Sequence, residues 1–219
     1  MQLAIRSVLP PSELGRVQDA LAGAEFADGQ ITAGPIARQV KNNLQSAPDI
    51  AIEALREEVC ALILATPLFV MAARPKAIVG AMFSRYDPGH AYGRHVDNAI
   101  MSGRRADVSF TLFLSDPATY EGGELVIETT AGEDSIKLEA GDLFVYPSTF
   151  LHSVAPLRSG SRLAMVGWVR SYVCDAARRE ILFDLETVER QLFERLGKTG
   201  DVDLISKTRS NLLRAWAED

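Results

Sequence analysis

Histidine is scarce in this sequence, with three residues in 219. Any site that needs imidazole must therefore be built from His90, His95 and His152. Cysteine is scarcer still. Cys60 and Cys174 cannot form a disulfide framework. Cys60 sits in the apolar run "EVCALILAT" and reads as a buried structural thiol, and Cys174, between a strand-like run and a helix, is given the same structural reading. No apolar run approaches the roughly 20 residues that span a bilayer. "MQLAIRSVLP" meets Pro10-Pro11 before any leader pattern develops, so no membrane partner is expected and the cytoplasm is the expected compartment. Positive charge is also short: the net charge is −6 and the pI about 5.2. The basic residues are scattered, with Arg104-Arg105 and Arg178-Arg179 the tightest clusters, so no nucleic-acid partner is expected. Repeats and low-complexity stretches are missing too. What is present is 47% hydrophobic residues, enough for a sizeable core in one domain with appendages.

Periodicity divides the chain in three. Residues 1–66 read as an N-terminal helical segment packed on the core. Ser12 is a candidate cap for a helix carrying Leu14, Val17 and Leu21. After a polar, Gly-punctuated excursion, a second helix places Ile52, Leu55, Val59 and Leu62 on one face and stops before Pro67. From there to residue 174 the sequence reads as short strands. "KAIVGAMFSRY" alternates, and "DVSFTLFLS" sets Val108, Phe110, Leu112 and Leu114 on one face. Further strands follow, separated by Gly122-Gly123, Gly132, Gly141-Asp142 and Ser159-Gly160, which is turn chemistry. Many short strands without intervening helices predict a sandwich or jelly roll and disfavour a doubly wound α/β fold. Residues 175–219 return to helical period as a C-terminal extension. Asp175 is the expected cap, Ile181, Leu185, Val188 and Leu192 form one stripe, and Gly197 is a stop. Such stripes either cover the sheet or form a homo-oligomeric contact.

The chemistry gathers around "GRHVDNA", residues 93–99. Alone, it is as readily a surface turn with an incidental ion pair. In an extended segment, however, residues i and i+2 share a side, so His95 and Asp97 can close on one ion. His152 follows the strand "DLFVYP", and in a jelly roll it can lie opposite that pair. His90, in the turn-like "DPGHAYG", reads as solvated or supporting. Two histidines and one carboxylate form the facial set of non-haem Fe(II) oxygenases, although a zinc hydrolase can use the same ligands. Arg162 bears on the choice. By period 2 it shares a face with Ala164, Val166 and Trp168, and a guanidinium facing an apolar interior calls for a carboxylate. No internal partner with the right facing is evident, so the expected partner is a ligand.

His95, Asp97, His152 and Arg162, in that order on strand-like segments, resemble the Fe(II)- and 2-oxoglutarate-dependent dioxygenases of the prolyl 4-hydroxylase group. The sequence is most similar to the bacterial PKHD-type hydroxylases. "FSRYDPGHAYGRHVDNAIM", "RADVSFTLFLSDPATYEGGELVIE", "KLEAGDLFVYPSTFLHSV" and "GSRLAMVGWVRS" carry the resemblance, which covers nearly the whole chain. It implies a mainly β fold: a double-stranded β-helix (jelly roll) core with flanking N-terminal helices and a C-terminal helical extension. It also implies Fe(II) on His95, Asp97 and His152, with 2-oxoglutarate and O2 as cosubstrates and ascorbate as a reductant. Arg162 would hold the distal carboxylate of 2-oxoglutarate, and Tyr86 would line that pocket. One departure is that Phe113 stands where several relatives place a tyrosine assisting the arginine; Thr111 or a water is the expected substitute. The substrate, a small molecule or a peptide, is expected to meet Asn98, Asn43 and Arg104. Lys41, Asn42 and Asn43 would border the mouth, and the loop "NAIMSGRRAD" would set substrate choice. Gly122-Gly123 and Gly141 read as turns, and Trp168 as core. The competing readings are a zinc-dependent cupin-like hydrolase or isomerase, and a non-catalytic sensor of iron or 2-oxoglutarate.

Overall fold

The computed structural model describes residues 1–218. Its core is a jelly roll of two facing antiparallel sheets. The larger sheet runs β1 (Leu3–Ile5), β13 (Leu143–Pro147), β9 (Val108–Phe113), β16 (Arg162–Ser171), β5 (Pro75–Tyr86), β4 (Leu44–Ser46) and β2 (Phe26–Asp28). The smaller runs β12 (Gly132–Ile136), β11 (Leu125–Thr129), β14 (His152–Val154), β6 (Ala91–His95) and β3 (Lys41–Asn42). Two ribbons complete it, β7 (Ile100–Met101) with β8 (Arg104–Arg105), and β10 (Glu121–Gly122) with β15 (Leu157–Ser159).

Alternation along the large sheet decides what lies on each face. Val108, Phe110, Leu112 and Leu114 turn outward, as their spacing predicts, and pack with Phe83, Met165 and Val169 under the helices. Those helices are α1 (Pro11–Ala22), α2 (Ile50–Ala65) and α3 (Pro67–Ala73). The helix side contributes Val17, Leu21, Ile52, Leu55, Val59, Ile63 and Phe69, all buried. Burying each such side chain stabilises the fold by about 1.5–3 kcal/mol. The opposite face of β9 carries Ser109, Thr111 and Phe113. Because both faces are covered, all six residues of β9 are buried.

Several local expectations are corrected. Helix α1 has Pro10 as its cap residue and no side-chain cap, so Ser12 lies inside the helix. In α2 it is Ile63 that is buried, with Leu62 partly covered. Asp49 caps α2, its carboxylate accepting from the amides of Ala51 and Ile52. Pro67 does not begin a strand. It occupies the first turn of α3, where its missing N–H costs nothing.

The tail forms α4 (Ala176–Leu196) and α5 (Gly200–Trp216), and Asp175 caps the first as its sequence suggests. The attachment differs from the expected apolar stripe: Leu182 and Val202 are buried, while Ile181 and Val188 are 46% and 44% exposed. Polar contacts do much of the docking. Arg74 meets Glu186 at 2.6 Å, Arg209 meets Glu189 at 2.6 Å, and buried Arg179 donates to the carbonyls of Val173 and Cys174. Cys174 is exposed, not packed as a core thiol, whereas Cys60 is half-buried. No helix among the described residues is long and apolar enough to cross a membrane.

Candidate metal centre and cosubstrate pocket

A cavity of about 410 Å³ lies between the two sheets, and His95, Asp97, His152 and Arg162 all line it. Strand pairing explains how the first three meet. In the antiparallel β14–β6 pair, His152 stands directly across from His95, so 57 residues of chain separation vanish in one register. Asp97 follows two residues later, where the backbone leaves the strand. The ligating atoms of the three residues all lie within 4.8 Å of one another, with His152 Nε2 3.8 Å from Asp97 Oδ2.

The surroundings fix each ligand's chemical form. His95 Nδ1 lies 2.8 Å from the Gly93 carbonyl, and His152 Nδ1 lies 3.0 Å from that of Phe150. A carbonyl can only accept, so each Nδ1 carries the proton and each Nε2 keeps a free lone pair. Burial, reinforced by His152, holds His95 well below the usual imidazole range, which favours the neutral form that binds metal. Asp97 Oδ2 accepts from Ser109 Oγ at 2.6 Å, and Ser109 is 2.8 Å from Ser148 Oγ. Tyr92 stacks on the His95 ring at 3.6 Å, and Tyr146 meets His152 edge-on at 5.2 Å. Burial raises the Tyr146 phenol well above its usual range, so this ring is neutral.

Arg162 begins β16, and its guanidinium is almost wholly buried at 1% exposure. It lies 5.3 Å from the Tyr86 ring and 5.4 Å from the Phe113 ring. Its Nε and Nη2 have no hydrogen-bond partner. A buried cation left this way is costly unless an anion joins it, and a dicarboxylate cosubstrate has the matching chemistry. Tyr86 lines the same cavity, its phenol pushed up to about 12 by burial. Thr111 lines the same cavity and hydrogen-bonds the Tyr146 hydroxyl. Tyr120 is the residue sequence reasoning missed. Its hydroxyl is buried beside the Arg162 guanidinium, which opposes the upward push that burial gives its titration. It comes from a turn after β9, so no strand alternation pointed to it.

Gly123 is more than a turn residue. With φ +68°, a Cβ there would lie 3.0 Å from Arg162 Cδ and 2.9 Å from Leu157 Cδ1. The glycine therefore leaves room for the arginine stem. Trp168, expected in the core, lines the cavity instead, because it shares Arg162's face of β16. Asn43 and Asn98 also line the cavity, Asn43 buried and Asn98 exposed at its rim. Arg104 does not reach it. That residue is exposed on the β7–β8 ribbon, while Arg105 is held by Asp107 at 2.6 Å and Glu218 at 2.7 Å. His90 stays in its turn, its Nδ1 accepting from the Asp87 amide.

The family profile of the 2OG-Fe(II) oxygenase superfamily matches residues 81–170, the stretch that supplies all four residues. A PKHD-type hydroxylase of Picosynechococcus sp. is 51% identical over 219 residues, covering 100% of both chains. Another, of Maricaulis maris, is 49% identical over the same length and coverage. The chain belongs to the PKHD-type hydroxylases. It is thus an oxidoreductase of the 2OG-Fe(II) family, which implies Fe(II), 2-oxoglutarate and O2. The solved structures extend the likeness in fold. A prolyl hydroxylase of Trichoplax adhaerens, solved with a hypoxia inducible factor peptide fragment, matches with TM-score 0.58 at 16% identity, over 77% of this chain and 83% of that one. A Pseudomonas putida prolyl-4-hydroxylase matches with TM-score 0.52 at 22% identity, over 78% and 92%. Other PKHD-type hydroxylases at about half identity include that of Acaryochloris marina.

Proposed function

We propose that this PKHD-type hydroxylase inserts a hydroxyl into a small-molecule or peptide substrate, holding iron on His95, Asp97 and His152 and 2-oxoglutarate on Arg162. The observation that carries the reading is the unpartnered, buried Arg162 guanidinium opening onto the same cavity as the two-histidine, one-carboxylate cluster. When bound, the ferrous ion and cosubstrate supply the oxidising chemistry, coupling O2 reduction to decarboxylation of 2-oxoglutarate to succinate. The protein's own part is binding and orientation. Nδ1 donation to Gly93 and Phe150 aims both Nε2 lone pairs at one point. Ser109 fixes the Asp97 carboxylate by hydrogen bonding to Oδ2. Arg162 takes the distal carboxylate in a fork, with Tyr86 beneath it and Tyr120 beside it. Val166 and Trp168 give the cavity an apolar wall that helps exclude water.

Ascorbate enters this reading as a reductant that restores ferrous iron, and the cytoplasm as the compartment that supplies 2-oxoglutarate. The test is succinate release by the Fe(II)-reconstituted enzyme over amino acids, proline-containing peptides and metabolite extracts, with and without ascorbate. Substrate-dependent succinate above the background supports the reading. Tight 2-oxoglutarate binding without succinate on any arm would point to a sensor, and zinc retention without 2-oxoglutarate binding to a hydrolase.

A further inference from the structure

The segment between the 3-10 turn at Ala37–Val40 and helix α2 crosses from the small sheet to the large one through β3 and β4. Along it, Lys41, Asn43 and Gln45 alternate with Asn42 and Leu44. The three odd-numbered residues are 6%, 4% and 7% exposed, and all line the cavity. A row of buried polar side chains is an expensive choice for an inner sheet face unless its hydrogen-bonding capacity is used. Here it is only partly used. Gln45 accepts from Thr32 and has only the Met82 sulfur for its amide, a weak acceptor. Asn43 Oδ1 has no partner. Lys41 Nζ donates to Thr32 Oγ1 at 3.0 Å and lies 5.2 Å from the centroid of the Tyr92 ring. No carboxylate pairs with it among the described residues.

The charge balance points the same way. Of the carboxylates and fixed cations lining the cavity, there is one carboxylate, Asp97, and two cations, Arg162 and Lys41. Under the proposed function, which this inference rests on, ferrous iron and the 2-oxoglutarate dianion cancel each other and Asp97 balances one cation. One positive charge remains. Arg162 is committed to the cosubstrate, so the surplus belongs to Lys41. It lies next to Thr32, in the cavity that Asn98 also lines. Tyr92, the ring beside its ammonium, is also the ring stacked on His95, so whatever Lys41 holds sits next to the metal position. The apolar residues Val79, Met82, Val166 and Trp168 line the remaining wall.

We propose that Lys41 is the substrate-carboxylate anchor, held in place by Thr32, and that the enzyme takes a carboxylic acid with an apolar body, held by its carboxylate with the body against the Trp168 wall. Burial pulls the Lys41 ammonium down to about 8, which an incoming carboxylate would reverse, and this agrees with a site that is incomplete until its anion arrives. An Nζ donor has two hydrogens left after Thr32, enough to meet one carboxylate without disturbing the existing bond.

The test uses full-length enzyme loaded anaerobically with Co(II) and 2-oxoglutarate, so that binding is read without turnover. The probes are N-acetyl-leucine, N-acetyl-valine and N-acetyl-phenylalanine, each against its neutral amide, with inorganic phosphate as a separate arm. Calorimetry is expected to show an acid bound about 10- to 100-fold more tightly than its amide, the range of a charge-assisted contact. In Lys41→Met that ratio falls to about one while 2-oxoglutarate still binds. Lys41→Gln, which keeps a polar group in place, should lose the preference equally, and thermal unfolding identifies a variant that has merely failed to fold. The proposal is overturned if no acid outbinds its amide, if the preference survives in both variants, or if phosphate alone shows Lys41 dependence. It is also overturned if Lys41→Met chiefly loses 2-oxoglutarate, which would make the lysine a cosubstrate group. The proposed function has a different failure: no succinate from the iron-loaded enzyme with any substrate, whatever the binding ratio.

Discussion

Replacing Arg162 by methionine separates the two roles a buried guanidinium can have. If it were structural, its removal would leave partners unsatisfied and destabilise the fold by about 3–5 kcal/mol. The structure shows the opposite arrangement, with Nε and Nη2 unpaired at 1% exposure, ring contacts to Tyr86 and Phe113, and the Tyr120 hydroxyl beside the guanidinium. The desolvation penalty of such an ion is several kcal/mol, and two cation–ring contacts return about 1–2 kcal/mol each. Methionine fills a similar volume without the penalty, so the ligand-free protein should be as stable as the parent or more so. At about 2–4 °C per kcal/mol for this size, Tm should hold or rise by several degrees. Binding should move the other way. Two charge-assisted hydrogen bonds contribute about 1.5–3 kcal/mol each, so Kd for 2-oxoglutarate should rise about 10²- to 10⁴-fold. Thermal unfolding with and without 2-oxoglutarate, under argon with Co(II), reads both effects in one experiment. A large drop in ligand-free Tm with 2-oxoglutarate affinity intact would refute the assignment of Arg162.

Other perturbations reach the same centre from different sides. Ser109→Ala removes the 2.6 Å hydrogen bond to Asp97 and should weaken Fe(II) binding about 10-fold in equilibrium dialysis while leaving the fold intact. Gly123→Ala places a Cβ against the Arg162 stem at a positive φ, so the 2-oxoglutarate requirement should rise with little change in metal affinity. Tyr120→Phe should raise the same requirement more modestly, in the direction of Arg162→Met, because its hydroxyl stands beside the Arg162 guanidinium. Lys41 gives a pH signature. Burial lowers its folded-state pKa to about 8, so the folded state is penalised for the protonated form below that pH. As pH rises from about 8 towards the ordinary lysine value the penalty disappears. Ligand-free wild type should therefore gain stability relative to Lys41→Met across that window, and denaturant titrations at pH 7 and pH 10 check the sign.

What the sequence made legible was whatever strand alternation governs. His95 and Asp97 share a side, Arg162 falls on the inward face of β16 with Val166 and Trp168, and Val108, Phe110, Leu112 and Leu114 turn together toward the helices. The supporting residues were less legible because their positions depend on pairing across sheets and on turns. Ser109 matters because β9 runs near the end of β6, and Tyr120 because a turn folds it back beside Arg162. The sequence placed Lys41, Asn42 and Asn43 in a loop at the substrate mouth; only the crossing from one sheet to the other shows that Lys41, Asn43 and Gln45 are buried in the cavity while Asn42 is exposed. The helices show the converse limit. Helical spacing in α4 offered an apolar stripe, yet Ile181 and Val188 face solvent while Arg74, Glu186 and Arg179 make the attachment.

The central claim is that His95, Asp97 and His152 hold iron in the cavity where Arg162 holds 2-oxoglutarate. It is tested most directly by anaerobic equilibrium dialysis of Fe(II), with and without 2-oxoglutarate, on wild type and Asp97→Ala. The account predicts one iron per chain in the wild type, bound more tightly when 2-oxoglutarate is present, and loss of both the iron and the linkage in Asp97→Ala. Equal iron binding by the two proteins, or 2-oxoglutarate affinity indifferent to iron, would contradict it.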